Sequence, residues 1–236
     1  MKELPDINVL PVHSVYLPVQ DKKLMFSPYT IEQEKGIVSA IESKDSPAMI
    51  DNYKALIGEC FHDPVDFETL SAMEFILMSV NLRCKSKGEV LHVTTKCKKC
   101  NHPIVMDIHL EDNIIVENQD VKKGMCEITK DLSFEVGPIK FDFLYQLAEI
   151  KTESDLILQT ALHSINKVIW KKDIYPNLNP SELSEKIKFS HEMLKKIFNE
   201  TMGLIRMKMM IHSTCDNEDC KNEENYQISD FLKFLT

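Results

Sequence analysis

Apolar and polar residues alternate over residues 12–27, with the polar run Gln20-Asp21-Lys22-Lys23 in the middle, which predicts a β-hairpin. Thr30 and Gln33 then stand at capping-box spacing, so a helix is expected to begin near Ile31. Ser46-Pro47 opens a second helix, with proline in the favoured first turn. Its residues Met49, Ile50, Tyr53, Leu56, Ile57, Cys60 and Phe61 follow i, i+3, i+4 spacing and predict a core-facing stripe. A third helix is expected from Asp66 through Leu70, Met73, Phe75, Ile76, Leu77 and Met78. It is apolar nearly all round and should be the most buried of the three.

After Gly88 the period drops to two. EVLHVTTK and NHPIVMDIHL alternate on either side of a short cysteine-containing turn and predict another hairpin. Residues 111–130 read as a polar loop with one or two short strands, and SFEVGPIKF as a strand and turn. The middle block reads as helical. Leu144, Leu147 and Ala148 mark one helix, and Leu156, Ile157, Ala161, Ile165 and Val168 another. Asn179-Pro180-Ser181-Glu182 is a helix start, and Met193, Leu194, Ile197 and Phe198 mark one more helix. RMKMMIHSTC then predicts a strand, NYQIS its partner, and FLKFL a short closing helix or strand.

Four cysteines give this pattern its chemistry. Cys97 and Cys100 form a C-x2-C pair, Cys215 and Cys220 a C-x4-C pair, and each pair falls at a predicted hairpin tip. Two knuckles that each present two thiolates are the way a zinc ribbon closes one tetrahedral Zn²⁺. The expected cofactor is therefore one structural zinc per chain, held by Cys97, Cys100, Cys215 and Cys220. A set of four thiolates leaves no coordination position for water, so the site is expected to stabilise a fold and to perform no catalysis. His102, two residues past Cys100, could replace one cysteine as a ligand, and a surface histidine is the other reading. His92 and His212 lie on the flanking strands and are read as strand side chains. Cys60, Cys84 and Cys126 have no partner at ligand spacing and are read as buried apolar thiols.

The fold class is therefore α+β: helical N-terminal and middle segments with a split β zinc-ribbon-like module. Residues 1–83 are expected to form an N-terminal hairpin plus helices. Residues 84–236 are expected to hold the split module (84–110 and 204–236) around a β/helical insertion (111–203).

Composition narrows the function classes. There are only 6 glycines and no glycine-rich phosphate loop, so nucleotide binding has no support. The N-terminus holds three prolines in MKELPDINVLPVHSVYLPV and no continuous apolar run, and no segment approaches a membrane span. The chain is expected to be soluble and intracellular, where thiols stay reduced. A net charge of -9 makes it a poor generic binder of nucleic acid. Arg83, Lys85, Lys87, Lys96, Lys98 and Lys99 do cluster around the first knuckle, but no aromatic residue joins them to form a stacking platform. A zinc-ribbon nucleic-acid-binding accessory protein is the competing reading. A thiol oxidoreductase is a third, but Asn101-His102-Pro103 and a β-rich run follow the C-x2-C pair where a redox motif would open a helix. Met202, Met207, Met209 and Met210 cluster ahead of the second knuckle and read as packing filler, with an adaptable binding surface as the alternative.

The order of several segments resembles the T4-type phage baseplate protein family, the hub components and hub-assembly factors of contractile-tailed phages. The resemblance is carried by LMFSPYTIEQEKGIVSAIES, then FETLSAMEFILMSVNLRCKSKGEVLHVTTKCKKCNH, then MDIHLEDNIIVE, WKKDIYPNLNPSEL and the closing second knuckle with DFLKFL. It covers nearly the whole chain and departs at the second knuckle, where the family pattern is closer to Cys-x2-Cys-Gly. It implies a non-enzymatic role on the central hub of the tail baseplate, as a built-in subunit or as a chaperone that leaves. The implied partners are other baseplate hub proteins, with no membrane. The implied location is the host cell cytoplasm or the virion baseplate. No feature of the pattern specifies a homo-oligomer.

Overall fold

The alternation at the N-terminus resolves into strands β1 (His13–Leu17) and β2 (Lys22–Phe26), paired antiparallel with Leu17 opposite Lys22. Val15, Leu17, Leu24 and Phe26 are buried while Ser14, Tyr16, Lys23 and Met25 are exposed, so one face of the hairpin is core and the other solvent. The computed structural model describes residues 10–43, 45–147 and 150–228. Helix α1 (Ile31–Ser43) starts at Thr30, whose backbone N–H donates to Gln33 Oε1 at 2.8 Å. Helix α2 (Ser46–Cys60) opens at Ser46-Pro47 with proline in its first turn, capped by Asp45, whose Oδ1 accepts from the Ala48 N–H at 2.9 Å. Every residue of the predicted α2 stripe is buried.

The third helix departs from expectation at its start. Asp66 caps a turn: its carboxylate accepts from the Glu68 N–H and the Thr69 hydroxyl. Helix α3 (Ala72–Lys87) begins only at Ser71, which forms a reciprocal capping box with Glu74. Ten of its sixteen residues are buried against six of fifteen in α2, so it is the more buried of the two, as a helix apolar nearly all round predicts. The Glu74 side chain is itself fully buried. Its Oε1 accepts from the Val19 and Gln20 backbone N–H groups, both at 2.9 Å, and its Oε2 accepts from the Ser71 hydroxyl at 2.9 Å. One carboxylate therefore satisfies a helix N-terminus and pins the tip of the β1–β2 hairpin to it.

Strands β3 (Val90–Lys96) and β4 (Pro103–His109) form the second hairpin. A single turn, α4 (Leu110–Asn113), leads to β5 (Ile114–Glu117), then β6 (Gly124–Thr129) and β7 (Leu132–Val136). Helices α5 (Phe143–Leu147) and α6 (Glu153–Ser164) follow. Ala148 lies outside the described residues. The expectation of one helix from Leu156 to Val168 is corrected here: α6 stops at Ser164, and Ile165 and Val168 belong to β8 (Ile165–Trp170). Ile165, Val168, Ile169 and Trp170 are β-branched or aromatic, and Lys171 takes φ 59 to turn the chain into β9 (Asp173–Pro176). Helix α7 (Pro180–Lys186) begins at its predicted signal, with a capping box between Asn179 and Glu182, and α8 (His191–Met202), which holds the predicted stripe, begins at Ser190, whose hydroxyl accepts from the Met193 N–H. Strands β10 (Arg206–Thr214) and β11 (Glu223–Ile228) close the described chain, and the FLKFL segment lies outside it.

The sheets are β1-β2, β3-β4, β11-β10-β5 and β6-β7-β8-β9, with every pairing antiparallel. The molecule is thus mixed α and β with helices and sheets interleaved, and the middle block is not purely helical. A larger core gathers around α2 and α3 and takes Ile108, Leu110, Phe141, Met209 and Ile211 from later elements. Helix α3 runs through position 83 and contributes to that core on both sides of it. A second core lies between the four-stranded sheet and α6, α7 and α8, around Phe134, Leu162, Leu183 and Ile197.

Replacing Glu74 with Ala removes the acceptor of two part-buried backbone N–H groups and of the buried Ser71 hydroxyl, at about 1–3 kcal/mol for a buried group left unpaired. Urea unfolding of Glu74→Ala is expected to show a loss of about 3 kcal/mol or more. A loss under about 0.5 kcal/mol, the range of ordinary surface substitutions, would contradict this role.

Candidate metal centre

Each cysteine pair sits where a hairpin turns. In the first, the Cys97 N–H donates to the His102 carbonyl at 2.9 Å and the Asn101 N–H to the Cys97 carbonyl at 2.8 Å. In the second, the Cys215 N–H donates to the Asn222 carbonyl at 2.9 Å and the Lys221 N–H to the Asn217 carbonyl at 3.1 Å. The residue after each second cysteine is left-handed: Asn101 at φ 60 and Lys221 at φ 43. The two knuckles share this ending although the second loop is two residues longer.

The hairpins bring the four sulfurs into one cluster. All four Sγ atoms lie within 4.8 Å of one another. The contacts run between the pairs: Cys97 to Cys220 at 3.9 Å and Cys100 to Cys215 at 3.6 Å. Four thiolates about 2.3 Å from a central ion have sulfur–sulfur edges of about 3.8 Å, so the cluster has the dimensions of a tetrahedral metal site. All seven cysteines are free thiols. Cys97 and Cys215 are buried and pack with Ile104, while Cys100 is exposed.

Backbone donors surround the sulfurs. The Cys100 and Lys99 N–H groups point at Cys97 Sγ, and its thiol is lowered to about 7, by the Cys100 N–H first. Burial pushes Cys215 up to about 12 and Cys220 up as well, against the Asn217 and Asn222 N–H groups. Thiols this close resist ionising together, because each new thiolate is desolvated beside another. A bound cation reverses that balance and takes them all as thiolates. The donor set therefore fits a soft or borderline divalent ion.

His102 is not in the cluster; its Nε2 pairs with Asp216 Oδ1 at 2.9 Å, tying one knuckle to the other. His92 pairs across its hairpin with Asp107 at 2.6 Å, and His212 with Asn225 at 3.0 Å, so neither reaches a sulfur. Cys60, Cys84 and Cys126 are buried, with their thiols pushed up by burial. Three residues around the sulfurs did not stand out in the sequence. Asn217 and Asn222 each follow a cysteine of the second pair by two positions, and their side-chain amides come within 4.0 Å of Cys100 and Cys97 Sγ. Glu224 Oε1 accepts from the Lys98 N–H at 3.0 Å and from the Asn222 amide at 2.6 Å, linking the first knuckle to β11. The repeated Cys-x-Asn spacing could have marked the two asparagines; nothing local marks Glu224.

A family model described as T4 bacteriophage base plate protein matches residues 10–236. The chain belongs to that family. No curated protein and no solved structure matches it. Baseplate proteins of this type are structural and non-catalytic, and this chain is not an enzyme. Among the described residues of this baseplate-family protein, no helix is long and apolar enough to cross a membrane.

Lys221 occupies a left-handed conformation that costs a residue bearing a Cβ about 1–2 kcal/mol. Lys221→Gly is expected to stabilise the protein by about 1 kcal/mol, raising Tm by about 2–4 °C in a thermal melt. An unchanged or lower Tm would contradict this description of the second knuckle.

Proposed function

We propose that this protein works by protein–protein contact in the phage tail baseplate, as a hub component or as a hub-assembly chaperone in the host cytoplasm. We further propose that Cys97, Cys100, Cys215 and Cys220 hold one structural Zn²⁺. The family match across residues 10–236 carries the assembly reading. The closed set of four sulfurs, with its tetrahedral dimensions, supports zinc as a structural ion. On this reading residues 84–110 and 204–236 act as one metal-closed module.

The basic cluster around the first knuckle weighs against nucleic acid as the partner. Arg83 is buried and donates to the Gly88 carbonyl. Lys85 bridges Glu89 and Glu111, Lys87 pairs with Glu34, and Lys98 pairs with Glu224. Lys96 and Lys99 remain, too few for a backbone-tracking groove.

Metal analysis of protein purified without chelator is expected to give one zinc per chain. Co-expression with the baseplate hub proteins is expected to give co-elution with at least one of them. In the Cys215→Ser/Cys220→Ser variant the zinc is expected to be lost, and amide exchange to rise across β3–β4 and β10–β11 while α2 and α3 stay protected. Protein without metal would contradict the zinc assignment. Absence of hub co-elution, together with oligonucleotide binding that weakens steeply with salt, would contradict the assembly role.

A further inference from the structure

The four-stranded sheet ends in an outer strand, β9, whose residues are all exposed. The register Val168↔Tyr175 and Trp170↔Asp173 puts Val168, Trp170 and Tyr175 on one face. Val168 is buried there, yet Trp170 and Tyr175 are each 45% exposed. Beneath them is a cavity of about 450 Å³ whose floor is Leu132, Val168, Leu178 and Ile187. Lys186 and Lys188 stand at its rim.

Charge distinguishes this face from the rest of the chain. Lys171 and Lys172 at the β8–β9 turn, with Lys186 and Lys188, are all exposed, and among the described residues none of them forms an ion pair. Asp173 and Glu185 are the acids adjacent in sequence, and Asp131, whose carbonyl accepts from the Lys171 N–H, stands at the same end with Lys130 beside it, so five lysines face three acids and the face keeps a positive surplus on a chain of net charge -9. Two exposed aromatic rings over an aliphatic hollow, ringed by unpaired lysines, make an anchor pocket with an electrostatic rim.

We propose that this face docks an acidic segment of a partner protein, which inserts one large apolar side chain between Trp170 and Tyr175 and sets carboxylates against Lys186 and Lys188. The proposal rests on the protein–protein reading of function and adds the surface and the chemistry of the partner. A second copy using the same face would set lysine against lysine. Strand addition is disfavoured because Pro176 has no N–H to offer on this edge. A nucleobase would stack on an aromatic face, but Lys171 Nζ already lies over the Trp170 ring, 5.8 Å from its centroid, and the cavity below is lined by the aliphatic residues Leu132, Val168, Leu178 and Ile187.

Trp170 is the only tryptophan, so its fluorescence reports this face directly. The full chain is titrated with a short acidic peptide carrying a central leucine–phenylalanine pair, with the same peptide in which lysines replace the acids, and with an oligothymidylate. The acidic peptide is expected to shift the emission saturably, and its basic counterpart is not. Lys186→Glu/Lys188→Glu is expected to weaken the acidic peptide about tenfold with an unchanged thermal melt. Tyr175→Ala, which removes one wall of the pocket, is expected to weaken it as well. No saturable shift with the acidic peptide, equal binding of both peptides, or tighter binding of oligothymidylate would overturn the proposal. Peptide failure with hub co-elution intact overturns this surface alone. Loss of hub co-elution in the unsubstituted protein overturns the reading beneath it.

Discussion

The meeting of two hairpin tips at four sulfurs is the constraint on which the rest of the chain depends. Everything between Asn101 and Thr214 must leave and return to one point, with all four Sγ atoms inside 4.8 Å. Hydrogen bonds alone make a poor lock there. The tips join through sulfur contacts near the outer limit of a hydrogen bond, the His102–Asp216 pair and the Glu224 links. Burial also pushes two of the four thiols up, Cys215 and Cys220, while backbone donors lower Cys97. A divalent cation changes both terms at once, since it compensates the thiolate charge and closes a long chain segment that is entropically costly to hold shut.

Around that point the fold divides its work between two cores. The larger core makes the N-terminal hairpin, α2, α3 and strand β10 one packed body, so the metal-bearing strands rise from a rigid base. Glu74 shows how tightly that base is specified: one buried carboxylate serves both the start of α3 and the turn of the first hairpin. The smaller core supports the four-stranded sheet, whose last two strands carry the exposed aromatic residues Trp170 and Tyr175, which a purely structural edge would bury or replace with charge. A structural role in a multi-protein assembly suits this arrangement: stability is concentrated in the interior and at the sulfur cluster, and contact surface is left at the periphery.

What could be read in advance follows the physics of each signal. The hairpins at β1–β2 and β3–β4 and the stripe of α2 were legible because strict periodicity and turn residues agreed. The four cysteines were legible as a set because ligand spacing and hairpin context coincided. The start of α3 was misplaced because Asp66 can cap a turn as well as a helix, and the Ser71–Glu74 spacing five residues later carried the real start. Helix α6 was extended into β8 because Ile165 and Val168 continue the helical spacing of Leu156, Ile157 and Ala161. Only the run of β-branched and aromatic residues with the Lys171 turn distinguishes a strand there. The buried role of Glu74 was illegible for a different reason: it depends on the turn of a distant hairpin, which no local pattern encodes.

The most direct test of the account is X-ray absorption at the zinc edge on protein purified without chelator. Four sulfur neighbours at about 2.3 Å, with no nitrogen or oxygen in the first coordination sphere, is the predicted result. A nitrogen ligand from His102, a coordinated water, or the absence of zinc would contradict the closed four-thiolate centre on which the account rests.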